Sequence, residues 1–441
     1  VNNIMKIEKV KKPSSITLCM IVKNETHIIK DCLASMLPYI DRYDITDTGS
    51  TDGTPELIKE FFDEHGVEGE VYLSDWKGFG DHSGKIGSRT ESLRNCDGKA
   101  DYAWVIDADD YITGNFQFPE KMEADSYSLC IGREEFTWWR NQIFKTGQDW
   151  CYTGVLHEYA ECKGKPQEQV TTDRIFGEYH VSARTEGARN VGITTVEKYT
   201  RDAEMLLKAL EDEPENVRYQ FYLAQSYFDS QQYEKSLEAY IKRAEMGGWE
   251  EEVYYSIYRT GIIKAILNYS WPEIQQAFLD CYEYRPIRAE PLYQIARLYR
   301  QVHDKPRLGY IFARMAMEVP YPQNDILFIS EDCYKYQILD EIGATAYYAG
   351  KPHVGLEACK RLVNENLIPE EHKERAQANL EQYEELTRQM HEATKKAEIE
   401  KQAEEYAKKK EEKEARKHRE KKGTKVNQTK RGFKKRKTAK R

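Results

Sequence analysis

Over the first part of the chain, short apolar runs alternate with longer amphipathic stretches. SITLCMIV (15–22) is nearly all apolar, the pattern of a strand buried on both faces. HIIKDCLASMLPYI (27–40) follows with apolar residues at helical spacing, and YDITD (43–47) returns to a strand pattern. TPELIKEFFDEHG (54–66) predicts a helix with an acidic first turn and a Gly stop. GEVYLSDW (69–76) and DYAWVIDAD (101–109) predict two more strands. Alternation at this spacing predicts parallel pairing through crossover helices. Beyond residue 110 the helical pattern fades, and SYSLCIG, FTWWRNQIFKT, CYTGVLHEYAEC and RIFGEYHV predict extra, partly antiparallel strands.

From about 190 to 389 the pattern is helical and repeats. FYLAQSYFDSQQYEKSLEAY (221–240) puts Ala224, Tyr227, Ser236 and Tyr240 at the small and aromatic positions of a tetratricopeptide repeat. LYQIARLYRQVHDKPRLGYIFARMAMEVP (292–320) does the same with Ala296, Tyr299, Phe312 and Pro320. Fainter copies centre on Gly261 and Ala344, giving separations of 37, 35 and 48 residues against a period of about 34. Small residues let paired helices approach, and aromatic ones fill the gaps between pairs. The many tyrosines here read as inter-helix packing or as a stacking platform for sugar or peptide. From about 370, Glu and Lys at i,i+4 predict a solvated helix. The closing TKVNQTKRGFKKRKTAKR (424–441) is too basic and too poor in apolar residues to bury, and is predicted to be disordered. The resulting layout is a tail over 1–14, an α/β domain over 15–189, a helical repeat domain over 190–389, and a charged helix with a basic tail over 390–441.

Charge changes this picture in one respect. The chain of 441 residues carries a net −9, but residues 395–441 alone carry +13, so the remainder carries −22. The basic tail reads as a solvated run, as a nuclear address or nucleic-acid contact, or as a helix that captures an acidic partner surface. The nine cysteines include no CxxC pair, which points to a reducing, cytoplasmic compartment, with a nuclear one suggested by the tail. No apolar run is long enough for a membrane span, and the first fifteen residues lack the apolar stretch of a secretory leader.

The chemistry collects at strand ends. In open α/β sheets ligands bind beyond the carboxyl ends of strands. The first strand ends near Glu25, the second near Asp47 and Asp52, and the fourth at Asp107, Asp109 and Asp110. Crowded carboxylates repel unless a cation lies between them, and hard oxygen ligands select Mg²⁺ or Mn²⁺. Neither GxGxxG nor GxxxxGK[ST] occurs, so a bound diphosphate needs a metal and a basic side chain, with Arg89 in GSRTESL as the candidate. Asp52 reads as a helix cap.

CMIVKNE, DTGSTDGT, Trp76, RTESL and DADD in this order resemble a family 2 glycosyltransferase of GT-A fold, over about residues 19–160. The resemblance extends to a subgroup with a GxxHE element, Gly154–Glu158 here, and tetratricopeptide repeats after the catalytic domain. It implies a Rossmann-like mixed sheet followed by an all-α repeat domain. It also implies that Ile21, Lys23 and Glu25 line the base pocket, that Asp47 and Thr48 hold base or ribose, and that Arg89 meets the pyrophosphate. Asp107 would sit near ribose and metal, Asp109 would ligate the metal, and His180 would complete metal or phosphate binding. The implied reaction is metal-dependent, inverting transfer of a hexosyl or N-acetylhexosaminyl group from a nucleoside diphosphate sugar, UDP foremost. Its acceptor would be a protein, peptide or glycan. A base is required on the opposite face of the sugar. Glu158 is the first choice, with Asp149 and Asp173 as rivals. The stretch KGFGDHSGKIGS between Trp76 and Arg89 is longer than in the family and glycine-rich, and reads as a mobile lid. His157 is a structural histidine or a site residue, and Trp138, Trp139 and Trp150 stack on sugar or pack in the sheet. Two other readings stand beside this one: transfer to nucleic acid through the basic tail, and a non-catalytic scaffold. The repeats would bind the acceptor or pair two subunits.

Overall fold

A computed structural model describes residues 9–133, 136–184, 187 and 192–437. The apolar run at the start forms strand β1 (Ile16–Val22), followed by α1 (Ile29–Met36), β2 (Arg42–Asp47), α2 (Thr54–His65) and β3 (Glu68–Leu73). Then come α3 (Ser88–Asn95), β4 (Tyr102–Val105), β5 (Tyr111–Gly114), β6 (Ser126–Arg133) and β7 (Phe136–Lys145). A hairpin of β8 (Trp150–Thr153) and β9 (Tyr159–Cys162) precedes β10 (Thr172–Arg174) and β11 (Tyr179–Ser182). The main sheet runs β3-β2-β1-β4-β7-β6-β11-β5, with β10 beside β6. Strands β1 to β4 pair in parallel, as the alternation predicts, while β7 lies antiparallel to both β4 and β6.

Both faces of β1 are buried, which explains its continuous apolar character. Ile16, Leu18 and Met20 pack with Leu33 of α1 and Phe62 of α2, while Cys19 packs with Leu93 of α3, Val105, Phe144 and Tyr152. Strand exits are thus held between two layers of helix and extra strand.

The helical part comprises α4 (Thr195–Asp212), α5 (Val217–Asp229), α6 (Tyr233–Glu245), α7 (Glu250–Ile266) and α8 (Trp271–Tyr284). It continues with α9 (Glu290–Gln301), α10 (Pro306–Met317), α11 (Ile338–Thr345), α12 (Pro352–Asn364) and α13 (Glu370–Lys437). A capping box of Thr194 and Glu197 starts α4. The repeat positions behave as tetratricopeptide packing requires. The Ser236 hydroxyl donates to the Ala224 carbonyl at 2.7 Å, Ala296 and Ala313 are buried, and Tyr299 stacks on Phe312 at 5.7 Å. The chain separates into two compact units, Val1–Ile274 and Gln275–Arg441, so α4 to α7 belong to the same unit as the sheet.

In the second unit, Ala376, Leu380 and Tyr383 anchor the start of α13 in the core. Helix α13 then continues to Lys437, in place of the irregular stretch expected from residue 424. An established helix propagates with one hydrogen bond per added residue and no new nucleation penalty. Among the described residues no helix is long and apolar enough to cross a membrane.

Candidate functional site

The ends of β1 and β2 are tied together by Thr48, whose N–H and hydroxyl both donate to the Val22 carbonyl, at 2.9 and 3.0 Å. Asp47, at the end of β2, is only 2% exposed. One of its oxygens accepts from the Gly49 and Ser50 N–H groups at 3.0 and 2.9 Å, and the other, Oδ2, is buried with no hydrogen-bond partner. Leaving a buried carboxylate oxygen unmatched costs about 1–3 kcal/mol, so this position is suited to a donor from a ligand. Ile21 is half-buried at the end of β1, Lys23 is exposed, and the half-buried Glu25 donates its N–H to the Thr54 hydroxyl at 2.9 Å. Asp52 accepts from Thr54 and Thr26. Burial would raise its pKa, but these hydrogen bonds prevail and hold it at about 2. Asp52 therefore tethers the start of α2.

Arg89 lies in the first turn of α3 and reaches a half-buried cluster. Its Nη2 donates to Asp107 Oδ1 at 2.7 Å, and its Nε lies 2.6 Å from Glu158 Oε1. The second approach is poorly aligned for a hydrogen bond, so it acts as a charge contact. Burial pulls the Arg89 pKa down, and the charges of Asp107 and Glu158 more than reverse it. Burial likewise pushes Asp107 up, but Arg89 and then Arg140 hold it at about 2. Arg140 of β7 lies 3.6 Å from Asp107 Oδ2 and 3.3 Å from Asp110 Oδ2. Asp110, 3% exposed, is pushed up to about 7 by burial and by Asp107, with Arg140 opposing.

Asp109 accepts the Gly187 N–H at 3.0 Å, and its carbonyl accepts from Arg184 Nε at 2.7 Å. A Cβ on Gly187 would lie 3.2 Å from Asp109 Oδ2 and 3.6 Å from Glu25 Oε1, so the acids ending β1 and β4 meet around one backbone. His180, on β11, is exposed and rests its ring on the Thr113 hydroxyl at 3.1–3.2 Å. Among the described residues no group of three or more His, Cys, Asp or Glu side chains is arranged to hold a metal ion. Mg²⁺ commonly binds through one or two carboxylates plus substrate phosphate oxygens, and Asp107 and Asp109 supply that kind of donor.

The insertion before Arg89 is packed at its two ends, around Gly80 and Gly87, while residues 83–86 between them are exposed. A Cβ on Gly80 would lie 2.6 Å from the Tyr152 carbonyl oxygen, and one on Gly87 would lie 2.4 Å from the Gly80 carbonyl carbon. The Arg89 N–H donates to the Phe79 carbonyl at 3.0 Å, and its guanidinium sits 5.9 and 5.8 Å from the Phe79 and Tyr152 rings. Gly80 and Gly87 are therefore used for close backbone approach around Arg89, whereas Gly78 and Gly84 take left-handed turns with φ of 88° and 74°. Of the tryptophans, Trp150 is buried against Phe144, Trp139 packs on Phe176, and Trp138 is 40% exposed.

Residues 17–133 match the sequence model of the family described as glycosyl transferase family 2. The N-terminal part is a glycosyl transferase family 2 domain. Arg140, Glu158 and His180 lie beyond the matched residues of this domain. No curated protein matches the chain significantly. Solved structures similar to part of it include MamA from Desulfovibrio magneticus RS-1, with 9% identity, TM-score 0.28, 44% of this chain and 87% of that one. Another is YrrB, titled a TPR protein with an unusual peptide-binding site, with 15% identity, TM-score 0.28, and 38% and 78% coverage. A third is a thermophilic TPR protein of Thermus thermophilus, with 13% identity, TM-score 0.29, and 42% and 92% coverage. At such scores the repeat assignment rests on the helix pairs described above.

Of the three candidate bases, Glu158 is the one in contact with the Arg89–Asp107 cluster. Asp149 is half-exposed and pairs with Arg94 at 3.3 Å, and Asp173 lies exposed on β10. Arg140 was not singled out by sequence reasoning. Its one local signal is a charged residue within a run of strand-forming residues.

Proposed function

We propose that the chain is a divalent-cation-dependent, inverting glycosyltransferase. Its donor is a nucleoside diphosphate sugar, UDP foremost, and its acceptor is a protein, peptide or glycan presented to the repeats. The observation that carries this reading is the buried, unpartnered oxygen of Asp47. It stands at the carboxyl edge of the sheet that also ends in Glu25 and Asp109. An imide N–H, as in uracil, is the matching donor. Ile21 and Lys23 flank this position, and Thr48 keeps Asp47 in place through its bonds to Val22.

Asp107 and Asp109 would hold the cation, and His180 is the proposed further contact for metal or phosphate. When bound, such an ion neutralises charge developing on the departing diphosphate. Arg89 is the proposed pyrophosphate contact, presented from the N-terminal turn of α3, where the helix dipole also favours an anion. Glu158 is the proposed base that takes the acceptor proton. The test is nucleotide release from a panel of UDP-, GDP- and dTDP-sugars with Mn²⁺ or Mg²⁺. We expect release from at least one UDP-sugar, its loss in Asp109→Asn, and at least tenfold weaker UDP binding in Asp47→Asn. If no sugar nucleotide is bound or cleaved with either metal, the reading fails.

A further inference from the structure

The loop that carries Glu158 is held by the first repeat helices as well as by the sheet. It joins β8 to β9, and within it His157 has φ of 51°, a left-handed backbone that side-chain-bearing residues rarely adopt. That conformation costs about 1 kcal/mol or more and persists only where neighbours enforce it. Two residues of α5 do so. The His157 ring stacks on Tyr222 at 3.9 Å with planes 9° apart, and the His157 carbonyl accepts from Arg218 Nη2 at 2.8 Å and Nε at 3.2 Å. The Arg218 guanidinium lies 5.0 Å from the Tyr222 ring and 5.1 Å from Tyr159, the residue following Glu158. The loop is gripped on both sides of Glu158.

The insertion on the other side of Arg89 is tied to the same helices. The Ser83 hydroxyl donates to Asp212 at 3.1 Å, and its N–H donates to Glu213 at 3.3 Å, at the end of α4. The insertion's Asp81 accepts the Gly87 N–H at 2.9 Å, and its carbonyl accepts the Gly154 N–H at 2.9 Å. Both loops that surround Arg89 are thus moored to α4 and α5.

We propose that Arg218 and Tyr222 are positioning residues for the transfer site. By holding His157 left-handed they direct Glu158 toward Arg89, and so make the first repeat helices part of the catalytic unit rather than an appended module. The catalytic consequence rests on the transferase reading above, whereas the mechanical coupling does not.

The test uses the full chain with Tyr222→Ala, Arg218→Ala and the conservative Tyr222→Phe. We expect kcat for nucleotide release to fall at least tenfold in both alanine variants. UDP affinity should change less than threefold, because Asp47 and Asp109 are untouched, and Tyr222→Phe, which keeps the ring, should stay within twofold of wild type. Amide hydrogen exchange over 155–160 should accelerate at least tenfold in Tyr222→Ala. Wild-type kcat together with wild-type exchange in Tyr222→Ala would overturn the proposal, as would equal damage from Tyr222→Phe. If the wild-type chain cleaves no donor, the transferase reading falls, and the exchange measurement alone then decides the coupling: acceleration supports it and unchanged exchange overturns it.

Discussion

Replacing Arg89 with Met tests the charge cluster at the centre of the site. The guanidinium is 14% exposed and is a counter-charge to Glu158, 13% exposed, and to Asp107, 29% exposed. Removing one member of a fully buried ion pair costs about 3–5 kcal/mol, because the other charge stays desolvated, and this cluster is half-buried. Arg140 still faces Asp107, so the low end, about 3 kcal/mol, is expected. For a unit of this size that lowers Tm by about 6–12 °C. Glu158→Gln leaves Arg89 its directed bond to Asp107 and should cost about 1.5 kcal/mol. In the double variant neither charge is stranded beside the other, so the two effects should fall short of their sum by about 1 kcal/mol or more. Urea unfolding followed by tryptophan fluorescence reads this cleanly, since all seven tryptophans lie within Val1–Ile274. Additivity within about 0.3 kcal/mol, the scatter of independent sites, would refute the cluster as the energetic link between the two residues.

Two further outcomes follow from buried charges. Asp110 has a raised pKa of about 7, so the folded chain keeps that proton where the unfolded chain has lost it, and stability contributed by this group declines between about pH 4 and pH 7. Asp110→Asn removes the effect: the variant should gain on wild type across that range, with a ceiling of about 4 kcal/mol, and the gap should level off above about pH 8. Parallel urea midpoints from pH 4.5 to 8.5 would contradict it. In the second unit, Arg288 is 1% exposed and holds Glu290 at 2.7 Å and Asp325 at 3.2 Å. Asp325 still faces Arg288, so Glu290→Ala should destabilise that unit by about 3 kcal/mol in far-UV circular dichroism and leave the tryptophan-detected transition in place. A shift of the tryptophan transition would show that the two units unfold together.

The sequence-derived expectations differ in how local their physical basis is. The periodicity of 15–22 was sufficient for β1 because a strand buried on both faces must be apolar at every position. The places of Asp47 and Asp109 at strand exits were legible because such exits in parallel sheets face one edge. Arg140 was not, since its neighbourhood depends on β7 lying beside β4, with Trp104 opposite Ile143, and no local pattern encodes that pairing. The packing at the ends of the insertion was not legible for a related reason. Its glycines suggest mobility when taken alone, and only the backbones of Tyr152 and Gly154 passing close to Gly80 show that this glycine permits close packing.

By itself, the sequence determined β1 to β4 with helices α1 and α2, the helical repeat character of the later part, and which acids stand at strand ends. These depend on contacts within a few residues, where alternation and helical spacing record which face is buried. The tertiary structure decided which charges meet: Arg89 with Glu158 across 69 residues, and Glu158's loop with Tyr222 of α5. Such pairings depend on how distant segments pack, and each side chain in them has an ordinary solvated alternative that composition and spacing leave equally open.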